Sequence, residues 1–340
     1  MSLPIVAMVM AIVSGPAHPQ EPEATGFVMR NHAPFTAIVG IPARWPDGTD
    51  HPAEIVWNAS NHSMSAVSTG SAILQDGETH TLTARFQYPV SPRVRVGVEL
   101  PWISHSGGSL DGLIDSWHQW FGLPEGIRPL VADNQLDHVI RLNGVETYRM
   151  NESVSGIGDI RLALTTELGK LENWMGGDAG APAGYLSRVP WRMSLTAKLP
   201  TGESEKLTGS GNADIAAGIG WRSPRASDTT VNWWLDLGLV WPGDVDIAGL
   251  DAAGQIFYYD AALAWRIVRR VDVIVQVAGH SAVYQGDIAT LSRPAAQLAI
   301  GGLWHITPGI GVRAGIFEDI RAESTPDFGI ELAIIVGRWK

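Results

Sequence analysis

Cysteine is absent from the 340 residues. That excludes a disulfide framework, a Cys-ligated metal, a Cys nucleophile and the N-terminal Cys of a lipoprotein anchor. Charge is sparse: 17% of residues are Asp, Glu, Lys or Arg, against roughly 25% in an average soluble domain. Positive charge is in deficit, with a formal net charge of −11, which argues against nucleic acid as a partner. Beyond the N-terminus no apolar run reaches the ~18 residues of a spanning helix. Neither HExxH nor GxSxG occurs, and the Gly-rich stretch Leu199–Asp214 lacks the Gly-x4-Gly-Lys-Ser/Thr spacing of a phosphate loop. What is plentiful is glycine (38), proline (21) and tryptophan (14). Modest hydrophobicity spread evenly, with abundant turn residues and interfacial Trp, is the composition of a membrane β-barrel.

The chain opens on an apolar run, Leu3 to Val13, followed by Ser14, Gly15, Pro16 and Ala17. This reads as a secretory signal over 1–20, although the stretch before it carries no Lys or Arg. Residues 21–52 are proline-rich and irregular, either a plug or a periplasmic extension, and 53–340 form the barrel.

From residue 53 on, apolar and polar residues alternate with period two, the signature of strands with two unlike faces. In 93–103, Val94, Val96, Val98, Leu100 and Trp102 oppose Arg93, Arg95, Gly97 and Glu99. The same pattern recurs in 157–168, 190–199, 212–222, 231–241, 270–281 and from Phe328 to Gly337. Weaker versions occupy 53–64, 76–88, 254–266, 296–306 and 310–318. Each has about the 9–11 residues a tilted strand needs to cross a bilayer. The expected fold is all-β, a single antiparallel transmembrane barrel of about twelve strands (10–14). Short turns at Pro89–Pro92, Val268–Arg270 and Thr307–Gly309 alternate with loops at 200–211, 242–253, 282–295 and 319–327. Periplasmic turns and longer external loops follow that rule. The 169–189 connection is long for a turn.

One long external loop, 104–156, holds two further elements. Asn143-Gly144 between Val139–Leu142 and Val145–Tyr148 predicts a type I′ hairpin. Asp111–Phe121 predicts a short helix, capped by Ser109 and apolar along Leu113, Ile114, Trp117 and Trp120 or Phe121. Asp111, Asp115, Trp117, His118 and Trp120 make this loop the candidate partner surface or lid. Asp115 and His118, with His105 nearby, invite a metal, but the spacing is common by chance and no metal or cofactor is expected.

The polar faces carry Arg95, Glu99, Asp159, Arg161, Arg192, Lys198, Asp214, Asp236, Asp260, Asp272, Arg313 and Glu331. Facing lipid, each Arg or Lys would cost about 2–4 kcal/mol at the midplane; facing inward, they line a lumen. Trp102, Trp191, Trp221, Trp241, Trp265, Trp304 and Trp339 near strand ends suit interfacial girdles. The functional expectation is an outer-membrane channel or small-solute transporter, or a structural envelope barrel, without catalytic residues. Its partners are then the bilayer with its lipopolysaccharide, the barrel-insertion machinery and a small solute. Two alternatives remain: a soluble β-sandwich that binds carbohydrate or a hydrophobic ligand, and a lipid hydrolase using a Ser–His pair such as His280-Ser281.

Seven motifs together resemble the bacterial family catalogued as domain of unknown function 3187. They are Arg30-Asn-His-Ala-Pro34, Leu74-Gln-Asp-Gly-Glu-Thr79, Gly108–His118 with Phe121-Gly-Leu-Pro124, Gly156-Ile-Gly-Asp159, Leu199-Pro-Thr-Gly202, Thr208-Gly-Ser-Gly211, and Glu318-Asp319 with Pro326-Asp327. They span about residues 27–339. The resemblance implies a Gram-negative envelope barrel and supplies no activity. The order Gly-x-Gly-Asp, strand, turn, strand, Pro-Thr-Gly is also similar, more loosely, to barrels linked to uptake of aromatic compounds. Such barrels usually end in an aromatic residue; here Trp339 is penultimate and Lys340 last.

Overall fold

A computed structural model describes residues 25–47, 52–68, 70–122, 132–170, 189–223, 230–286, 288, 290–307, 309–320 and 325–337. The signal stretch, the 171–188 connection and Trp339 lie outside them.

In chain order the strands are β1 (Ala53–Ser68), β2 (Ser71–Pro89), β3 (Val94–Ser106), β4 (Asp137–Leu142), β5 (Val145–Met150) and β6 (Val154–Ile157). Then follow β7 (Arg161–Lys170), β8 (Pro190–Lys198), β9 (Asp214–Arg222), β10 (Val231–Trp241), β11 (Asp251–Ala252) and β12 (Ile256–Val268). The last are β13 (Val271–His280), β14 (Tyr284–Gln285), β15 (Ala295–Thr307), β16 (Ile310–Asp319) and β17 (Phe328–Val336). Two helices are α1 (Pro34–Ala37) and α2 (Asp111–Phe121).

Twelve strands close into one antiparallel barrel. Its order is β1-β2-β3-β7-β8-β9-β10-β12-β13-β15-β16-β17, and β17 pairs back onto β1 from Ala53↔Val336 to Asn61↔Phe328. Closure leaves no hydrogen-bonding edge, which a sheet in hydrocarbon requires. The stacked sheets of the sandwich alternative do not form. Instead, Val96, Leu100, Leu162, Leu164, Met193, Leu195, Leu263, Ile300, Leu332 and Ile334 stand outside, each at least 38% exposed. Their polar neighbours turn inward. Trp102 and Trp241 lie toward one rim, Trp265 and Trp304 toward the other, all exposed, as interfacial belts do.

The two rims differ. At the turn end, β2–β3, β12–β13 and β15–β16 are joined tightly, as the sequence predicts. At the loop end, β1 and β2 run past the barrel, and residues 71–76 of β2 pair with β4, which pairs with β5. Asn143 and Gly144 both have positive φ (50° and 77°), the type I′ turn expected of Asn-Gly. β6 and β7 share β3 as partner across an interruption at 158–160.

Two details of α2 differ from the sequence reading. Ser109 does not cap it; the buried carboxylate of Glu78 accepts the backbone N–H groups of Ser109 and Leu110 instead. A side chain from β2 thus replaces the local cap. Nor is the whole apolar stripe buried: Ile114 is, but Leu113 (52%) and Trp120 (81%) are exposed. The helix lies across the rim at β17, where Trp117 packs on Phe328 at 5.8 Å, so only that side is covered.

Candidate functional site

All twelve charged residues predicted for the polar faces are buried inside the barrel, from Arg313, Glu331 and Asp272 at 0% to Asp236 at 8% exposed. Burying charge is tolerable only with partners, and the partners come from two sources: the wall itself and residues 25–47.

Around half the circumference the wall carries a continuous chain of ion pairs. Arg161 on β7 donates to Glu99 on β3 (3.2 Å), which also accepts from Arg85 on β2 (3.2 Å). Arg85 pairs with Glu54 on β1, Glu54 with Arg313 on β16 (3.2 Å), and Arg313 with Glu331 on β17 (2.6 Å). The six charges sum to zero. Glu54 and Arg85 were not singled out in the sequence, though both fall in weakly patterned strands. On the other wall, Asp260 accepts from Trp234 Nε1 (3.0 Å) and Gln276 (2.6 Å), and Asp272 from Arg266 and His305 (both 2.8 Å).

Toward the loop end three predicted residues meet. Lys198 stands 3.0 Å from both Asp159 and Asp214. Asp159 also accepts the N–H groups of Gly202 (2.9 Å) and Ser210 (3.1 Å). The Gly-Ile-Gly-Asp, Pro-Thr-Gly and Gly-Ser-Gly motifs are therefore one knot, which ties the 199–213 loop inward.

Residues 25–47 run through the lumen as a U. The ascending limb begins at the turn-end half, where Arg313 donates to Thr25 (3.3 Å) and the Val28 N–H to Glu331 (2.8 Å). Arg30 pairs with Glu99 at 2.6 Å, and Asn31 meets His280 at 3.0 Å. The bend, α1, sits beneath the loop end; Tyr284 donates to the Phe35 carbonyl (2.5 Å), Lys198 to that of Ile38 (2.8 Å), and the Gly40 N–H to Asp214 (2.7 Å). The descending limb returns past Arg44–Asp236 (3.0 Å) and Arg192–Asp47 (3.2 Å). Its Trp45 indole lies 4.2 Å beneath the Arg85 guanidinium, against the wall at Gly97. Burial alone would raise the Asp47 carboxyl, but Arg44, Arg192 and Arg222 outweigh it and hold it below the usual carboxylate range. Burial, with Arg30 nearby, pushes the His32 imidazole down to about 3.

Above the bend, side chains from the loops and the β4–β5 hairpin close a hydrophobic roof. Phe35, Ile38, Val39 and Ile41 pack there with Ile140, Leu207, Val240, Ile247, Ile256 and Leu291, among others. Two gaps left beside the segment, of about 30 and 20 Å³, have room for a water or two each and are too small for a solute.

Asp111 accepts from Asn61 (3.0 Å) and the Asn134 N–H (2.7 Å), tying α2 to the rim; Asp115 is half-buried, His118 buried and Trp120 exposed. His280 and Ser281 do not pair: His280 faces the Ser281 carbonyl, and the Ser281 hydroxyl accepts the Phe257 N–H. A trio the sequence reading missed, His62, His105 and His138, is wholly buried near Phe35, with ring centroids 6.1 and 6.4 Å apart. Among the described residues no three His, Asp or Glu are placed to hold a metal ion.

Comparison with known proteins places a family model, described as "Protein of unknown function (DUF3187)", over residues 2–337. No curated protein matches. Among solved structures, the COG4313 outer membrane channel from Pseudomonas putida F1 is similar over 86% of this chain and 97% of its own, at 8% identity and a TM-score of 0.52. The NanC porin matches over 84% and 98%, at 7% identity and a TM-score of 0.43. The transport unit of the autotransporter AIDA-I from Escherichia coli matches over 85% and 90%, at 10% identity and a TM-score of 0.41. The likeness to the COG4313 channel shows the barrel fold alone.

Proposed function

The chain belongs to the DUF3187 family, and we propose that it is an outer-membrane channel for small solutes, shut in this conformation by its own residues 25–47. The observation that carries this reading is the chemistry of the lumen. The segment is held by ion pairs and hydrogen bonds to β2, β3, β8, β9, β10, β13, β16 and β17. Those polar contacts can be exchanged for water or a polar solute, whereas Phe35, Ile38, Val39 and Ile41 must leave the apolar roof for the segment to withdraw. The apolar exterior and the two Trp belts support insertion in a bilayer, and the contrast of tight turns and long loops supports turns in the periplasm and loops outside. Bilayer lipids, lipopolysaccharide and the insertion machinery are the expected partners.

Planar-bilayer recording tests the reading. The full chain should open rarely, and Arg30→Ala/Arg44→Ala, which frees both limbs, should open often, with conductance that persists after deletion of 25–47. Silence in all three proteins would sink the channel and leave a structural envelope barrel.

A further inference from the structure

Phe27 occupies a seat that treats the segment as a bound peptide. Its N–H donates to Gln276 Oε1 (2.7 Å), while its carbonyl accepts from Nε2 of the same side chain (3.2 Å). One amide thus reads both main-chain groups of one residue. Asp260 fixes that amide from behind, accepting the other Gln276 N–H (2.6 Å) and the Trp234 indole N–H (3.0 Å). The next main-chain N–H, from Val28, goes to Glu331 (2.8 Å). The ring lies against bare backbone: a Cβ on Gly301 or Gly315 would fall 2.8 or 2.5 Å from it. Arg313 covers it, 5.8 Å from the centroid, a distance at which a guanidinium favours an aromatic over an aliphatic occupant. The preceding position admits no side chain, because a Cβ on Gly26 would stand 2.6 Å from Gln276 Oε1 and closer still to the Trp234 ring.

Main-chain reading by one amide and one carboxylate, a planar slot floored by glycine, and steric refusal beside it define a ligand class. We propose that this seat recognises extended peptides in which glycine precedes an aromatic residue, taken up from solution when the chain's own segment is unseated. Short peptides of that pattern are then solutes the channel admits, in competition with residues 25–28. The assignment rests on the reading that the segment leaves the lumen.

The test uses the full-length protein in detergent, with folding checked by heat-modifiable migration. Gly26→Val/Phe27→Ala unseats the first limb locally while Arg30, Arg44 and Asp47 keep the rest anchored. Two probes carry a fluorine: acetyl-Gly-(4-fluoro-Phe)-Val amide, and acetyl-Gly-(5-fluoro-Trp)-Leu amide, whose sequence is not the chain's own. Both ¹⁹F signals should broaden strongly with the unseated variant and little with the unaltered protein. Adding Gln276→Leu should weaken binding about tenfold or more, since two hydrogen bonds go. Equal broadening with all three proteins, or none with the unseated one, overturns the proposal. Binding of the Phe probe alone also overturns it, because the seat would then serve only as a clasp for this chain's segment. Conductance of Arg30→Ala/Arg44→Ala, set beside these binding data, separates the two readings: opening there without peptide binding to the unseated variant defeats the peptide assignment alone, and peptide binding with every channel variant silent defeats the channel alone.

Discussion

The middle of the lumen and its loop-end roof are both closed, by opposite chemistry. The middle is a charge belt, in which carboxylates such as Glu99 and Asp236 are each held by two or three guanidinium groups. The roof is apolar, and its members are interchangeable in a way that guanidinium forks are not. A roof needs only volume and exclusion of water, whereas the belt demands particular residues at particular registers. The belt is therefore where the segment is held in register, and the roof is where apolar packing closes the loop end.

The contrast is sharpest under substitution. Arg313→Ala should be the costliest change, about 3–5 kcal/mol, because it leaves the buried Glu331 without its cation and Glu54 with Arg85 alone. Urea unfolding in liposomes followed by Trp fluorescence measures this, and Arg313→Ala/Glu331→Gln should recover part of the loss. Full stability in the single variant would mean that the belt is not energetically coupled. In the roof, Ile256, which is wholly buried, should respond in proportion to volume: about 0.5–1.5 kcal/mol for Ile256→Val and 2–5 for Ile256→Ala, without the partner-dependent rescue seen in the belt.

A pH titration sharpens the comparison further. The fold favours neutral His32, with a pKa near 3 against an ordinary value of 6.5. Its contribution to anchoring is therefore complete above about pH 6.5 and declines as pH falls toward 3. Asp47, held below the ordinary carboxylate range, stays ionised over that window until near its lower end. Hydrogen exchange of the 25–47 amides, corrected for its intrinsic pH dependence, should accelerate between pH 6.5 and 4.5, and His32→Leu should flatten that slope; an unchanged slope would remove His32 from the anchor. The smallest effect is expected for Trp120→Ala. Its side chain is 81% exposed, so stability should move by less than about 0.5 kcal/mol, as the same unfolding assay would show.

The wall was legible in the sequence because period-two alternation is imposed by lipid on one side and charge on the other. Every stave appears where alternation predicts it, and Asn143-Gly144 turns as its residues require. What alternation cannot reveal is where irregular chain goes. Arg30, Arg44 and Asp47 sit in a stretch without period, so nothing local told that they meet Glu99, Asp236 and Arg192; Glu99 lies 69 positions after Arg30. The cap of α2 failed for the same reason: Glu78 lies 31 residues before Ser109. The exposure of Leu113 and Trp120 reflects a helix laid on a rim, which offers one flank to protein and the other to its surroundings.

The U of residues 25–47 has a mechanical consequence. Both of its ends lie toward the tight-turn rim, so the segment can retract to that side without threading past the opposite one. Its tip, however, supplies Phe35, Ile38, Val39 and Ile41 to the roof. Retraction would strip those side chains from the dome as it empties the bore, so that stopper and keystone are one piece and both seals fail in a single stroke.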